Sequence, residues 1–90
     1  MSHAAIKIKI MPDAPDADLA EIEGNAKEII TDKGGKVASI EQEPIAFGLK
    51  AVIITLSIDE NFEQDPLLDA LRKVAQVSSA EIIDFRRIGF

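Results

Sequence analysis

Ala5-Ile6-Lys7-Ile8-Lys9-Ile10-Met11 places Ile6, Ile8 and Ile10 on one side of an extended chain and Lys7 and Lys9 on the other. A strict period of two is what a strand shows when one face is buried and the other is wet, so residues 5–11 are predicted as a half-buried strand. Pro12-Asp13-Ala14-Pro15-Asp16 ends it, because two prolines lack amide donors and aspartate favours turns and caps. Asp18 precedes Glu21 by three residues, the spacing of a capping box with aspartate in the cap role. Leu19, Ile22, Ala26, Ile29 and Ile30 then recur at intervals of three and four. They form one stripe of a helix that Gly34-Gly35 stops, with Gly24 on its polar side.

Beyond the glycines, residues 36–43 show a weaker strand pattern, and residues 49–58 form a strand apolar enough to lie centrally in a sheet. Residues 44–48 are the turn between them. Asp65-Pro66 predicts a capping aspartate before a proline at the first helical position, and Leu67, Leu68, Leu71, Val74 and Ala75 continue as a second amphipathic stripe. Ser78-Ser79 ends that segment, and residues 80–88 are the last strand. Its inward face is open on the sequence, since Ile82 and Ile88 lie on one side and Ile83 and Phe85 on the other. The order β-α-β-β-α-β is that of a ferredoxin-like α+β sandwich, in which two helices cover one face of a four-stranded antiparallel sheet. Right-handed crossovers place the first and third strands centrally. With 90 residues, the chain is expected to be a single domain, 1–90.

Composition narrows the function. At 47% hydrophobic and 29% charged residues the chain lies outside the disordered class. It has no cysteine, which removes disulfides, thiolate nucleophiles and thiolate metal sites together. The opening Met1-Ser2-His3-Ala4-Ala5 lacks the basic and apolar regions of a signal peptide, and no apolar run approaches the roughly 20 residues that span a bilayer. A cytoplasmic protein without membrane contact is expected. A net charge of −6 repels a phosphate backbone, so nucleic acid is not expected as a direct ligand.

Many chemistries share this fold, so the site has to decide among them. An RNA-binding sheet needs stacking aromatics on its central strands, and these strands have none. An acylphosphatase-like hydrolase needs an anion cradle after the first strand, where this chain has Pro12, Asp13, Pro15 and Asp16. His3 is the only histidine, near the terminus and with no evident partner. The carboxylates of Asp13, Asp16 and Asp18, of Glu41 and Glu43, and of Asp59 and Glu60 each serve as turn, cap or solvated edge. No catalytic pair, metal site or cofactor is expected, and the protein is read as a non-enzyme.

Two features go unused by the fold. Glu43-Pro44-Ile45-Ala46-Phe47-Gly48-Leu49 builds a hairpin connection from apolar residues, with Gly48 available for a positive φ. Either Ile45 and Phe47 fold back under the sheet, or they meet a partner. The second is the ending Phe85-Arg86-Arg87-Ile88-Gly89-Phe90, which gathers two cations and two aromatics in an otherwise acidic chain. It is either a solvated end or a contact surface. On the residues alone a rival class stays open: a small-molecule-binding regulatory domain of the same fold, dimeric through its sheet edges.

These two segments, with Ile8-Lys9-Ile10-Met11-Pro12, carry a resemblance over essentially the whole chain. The sequence resembles the beta subunit of translation elongation factor 1 in its short archaeal form, a guanine nucleotide exchange domain. The resemblance implies a ferredoxin-like domain that binds the alpha subunit, the GTPase that delivers aminoacyl-tRNA, and promotes release of its GDP. It further implies that Ile45, Phe47 and Gly48 form a docking anchor, and that Arg86 and Arg87 act at the partner's magnesium and phosphate site. Arg87 matches the position of a lysine that reaches that site in eukaryotic relatives. Here arginine stands for lysine, and Gly89-Phe90 extend past the usual end.

Overall fold

The computed structural model of the chain describes residues 3–59 and 61–88. Glu60 and the Gly89-Phe90 end of the cationic terminus lie outside these residues, as do Met1 and Ser2. Ile88 is described by its pairing alone.

The chain forms β1 (His3–Pro12), α1 (Leu19–Asp32), β2 (Lys36–Pro44), β3 (Lys50–Asp59), α2 (Gln64–Arg72) and β4 (Val77–Ile88). The strands make one four-stranded antiparallel sheet in the order β2-β3-β1-β4, so the first and third strands are central, as the topology requires. Ile6, Ile8 and Ile10 are buried against Val52, Ile54, Leu56 and Ile58 of β3, with Ile22, Ala26 and Ile30 of α1 and Leu67 and Leu71 of α2 laid over them. Each isoleucine or leucine so covered contributes about 1.5–3 kcal/mol relative to exposure, which is why the alternation in β1 governs the whole arrangement. On the other face Lys9 and Glu41 stand on either side of Ile53 and limit its exposure. Among the described residues no helix is long and apolar enough to cross a membrane.

The helix ends follow the sequence signals with two departures. Asp18 caps α1, its Oδ1 accepting the Glu21 N–H at 3.2 Å. At the other end the Gly34 N–H donates to the Thr31 oxygen and the Gly35 N–H to the Ile30 oxygen, a Schellman closure in which Gly34 takes φ 94°. α2 begins earlier than Asp65-Pro66 predicts: Glu63 is its cap residue, and Pro66 sits inside the first turn. Proline is tolerated there because amides of the first turn have no intrahelical acceptor. α2 also stops at Arg72, short of Val74 and Ala75, so that β4 begins at Val77 and Ser78-Ser79 lie inside the strand instead of ending the helix. His3 is exposed but belongs to β1, paired through its backbone with Asp59 and Ile88.

β4 resolves the two-faced pattern by a bulge. Ile82 is opposite Ile8 while Asp84 is opposite Lys7, so Ile83 is an extra residue without a partner on β1. Ala80 and Ile82 therefore face the core before the bulge; after it Phe85 turns to the helix-covered side opposite Ile6, but at 46% it stays as exposed as Ile83 at 47%.

Candidate functional site

The hairpin between β2 and β3 closes on Pro44 opposite Lys50. The Ile45 N–H donates to the Leu49 oxygen at 2.7 Å, and the Leu49 N–H donates to the Ala46 oxygen at 3.3 Å. Within this inner turn Phe47 has φ 64°, ψ 28° and Gly48 has φ 76°. Two successive positive φ angles closed by a hydrogen bond three residues apart make a type I′ turn, whose twist suits the flanking strands. Such a turn favours Asn-Gly; here the first position is phenylalanine. Its side chain is 92% exposed, so it does not fold back under the sheet. Ile45 and Leu49, at the foot of the turn, are half-buried. Pro15, in the loop after β1, stands beside the turn: a Cβ added to Gly48 would lie 4.0 Å from the Pro15 Cβ.

The two arginines fall at the opposite end of the sheet. Arg86 is opposite Ala5 and Arg87 opposite Ala4, so the alternation of the strand sends their side chains to different faces. Arg86 lies on the open face, where its Nε is 3.4 Å from Asp84 Oδ2. Arg87 shares the face of buried Ala4 and lines a shallow cleft of about 50 Å³ with Phe85, Phe62, Asp59, Gln64 and His3. Among the described residues no carboxylate stands within ion-pair distance of Arg87. Nor does any cluster of three or more histidine or acidic residues among them suit a metal ion.

Ile45, Phe47 and Gly48 are thus one group and Arg86 and Arg87 another. The two are not brought together. Eight strand residues, from the level of Ala4 to the level of Pro12, separate them, or about 26 Å at the rise of an extended strand. Phe85 belongs to the terminal segment already on the sequence, but nothing there signals Phe62 or Gln64 beside Arg87, because they come close only when β1 pairs with β4 on one side and with β3 on the other. Chemically the arrangement offers an apolar knob at one end and a cation at the other.

A family model described as the EF-1 guanine nucleotide exchange domain matches residues 5–88. A protein of Methanosarcina acetivorans named elongation factor 1-beta is 42% identical over 89 residues, covering 98% of this chain and 100% of its own length. One of the same name from Thermococcus gammatolerans is 40% identical over 83 residues, covering 90% of each. Among solved structures, the ACT domain from GTP pyrophosphokinase of Chlorobium tepidum superposes with a TM-score of 0.67 at 18% identity, over 91% of this chain and 88% of its own, a likeness of fold alone. With the family match running from the first strand to the last and relatives aligned nearly end to end, the chain belongs to the family of EF-1 guanine nucleotide exchange domains.

Proposed function

We propose that residues 1–90 form one exchange domain that binds the alpha subunit of translation elongation factor 1 in the cytoplasm and speeds release of its GDP by contact, without making or breaking a bond. The observation that carries this reading is Phe47, held at φ 64° with 92% of its surface exposed. A side chain in that conformation costs the fold about 1–2 kcal/mol and here returns almost no burial, so its use has to lie in a complex. Phe47, with Ile45 at its base and Gly48 completing the turn, is the docking anchor.

Arg87 is the acting group at the far end. Magnesium helps neutralise the phosphates of a bound nucleotide, and a guanidinium brought to that site competes for the same oxygens or shifts the loop that holds the ion. Arg86 is less suited, being tied to Asp84 on the other face. Coupling is reciprocal: if this domain weakens GDP binding, GDP weakens its own binding equally, and incoming nucleotide dissolves the complex. The test is GDP release from the purified alpha subunit over a range of domain concentrations. Phe47→Ala should raise the half-saturating concentration, and Arg87→Ala should lower the maximal rate. Wild-type behaviour in both variants would reject the assignment.

A further inference from the structure

A second residue is held in the left-handed region, distant in sequence from Phe47. Gln76, in the turn between α2 and β4, has φ 70°, where glycine or asparagine would be the ordinary choice. Its main-chain oxygen accepts the Asp13 N–H at 2.9 Å. Its side-chain Oε1 accepts the Asp18 N–H at 3.0 Å, and its Nε2 donates to Glu21 Oε2 at 3.3 Å. In a simple capping box the acid at the third helical position reaches back to the N–H of the cap residue. Here Gln76 is inserted into that exchange, taking the amide of Asp18 on its oxygen and giving its own N–H to Glu21.

Gln76 therefore grips residues 13–18 at both ends. Inside the loop the Ala17 N–H closes on the Ala14 oxygen at 3.2 Å, and the intervening Pro15 is the residue beside Gly48 of the hairpin turn. We propose that Gln76 is a positioning residue for the docking tip, fixing through the 13–18 loop the place of Pro15 beside the Phe47 turn. The inference depends on the reading of Phe47 as the anchor. An unsupported tip spends only part of its time in the binding pose, and apparent affinity falls by that fraction.

Gln76→Gly separates positioning from stability, because it relieves the backbone while removing the side-chain clamp. Two readouts are taken. In the isolated domain, amide hydrogen exchange at residues 13–18 and 45–49 should quicken relative to wild type. In GDP release, the half-saturating concentration should rise about three- to tenfold with the maximal rate unchanged, since Arg87 lies at the other end. Gln76→Glu alone sets a carboxylate against Glu21 and should behave similarly, whereas Gln76→Glu combined with Glu21→Gln restores one donor and one acceptor and should recover wild-type values. Wild-type exchange protection and wild-type half-saturation in Gln76→Gly would overturn the inference, as would failure of the paired substitution to rescue. If Phe47→Ala leaves GDP release unaltered while Gln76→Gly still loosens both segments, the docking reading fails and the positioning role with it, leaving a clamp that serves structure only.

Discussion

Phe47 and Gly48 occupy the central positions of a turn that glycine would fill at both places with less strain. Phe47→Gly should therefore stabilise the isolated domain by about 1 kcal/mol, read from urea unfolding, while weakening its action on the GTPase. A loss of stability would mean that the aromatic ring supports the fold after all. The arginines give a second contrast. Arg87→Ala should cost exchange activity more than Arg86→Ala, because among the described residues only the Arg86 guanidinium has a carboxylate within ion-pair distance, and it is turned to the open face. Equal losses would contradict the separation of the two side chains by the sheet.

The elements were legible in the sequence to the extent that each obeys its own period. β1 was plain because lysine and isoleucine alternate without interruption, and α1 because Asp18 and Gly34-Gly35 mark its two ends with distinct chemistry. Truncating the cap, Asp18→Ala, should lower stability by about 1 kcal/mol, and emptying the centre of β3, Ile54→Ala, by about 3 kcal/mol, both by chemical unfolding. β4 was legible as a strand but its inward face was not, because one extra residue reverses the faces midway and pattern alone does not distinguish a bulge from a strand with mixed faces. Deleting Ile83 should accordingly preserve cooperative unfolding and leave Phe85 opposite Ile6, as amide pairing measured by NMR would show. At the site, Gly48 announced a positive φ, but the same requirement at Phe47 and Gln76 was hidden, since neither residue type signals it. Whether Ile45 and Phe47 turn inward or outward was likewise beyond the sequence; the I′ geometry sends Phe47 out and keeps Ile45 half-buried.

Over the whole molecule, whose longest extent is 42 Å, the apolar knob and the Arg87 guanidinium lie at opposite ends of one sheet. The rigid link between them is the pair of central strands, so a partner meeting both has to present two surfaces about 26 Å apart. Groups that far apart act independently, and the losses of Phe47→Ala and Arg87→Ala in the ratio of maximal rate to half-saturating concentration should add, as free energies, in the double variant to within about 0.5 kcal/mol. The most direct test of the account is stimulated GDP release from the alpha subunit, measured against domain concentration for wild type, Phe47→Ala and Arg87→Ala. The account predicts a raised half-saturating concentration in the first variant and a depressed maximal rate in the second. Release no faster with wild-type domain than without it, or both variants indistinguishable from wild type, would contradict it.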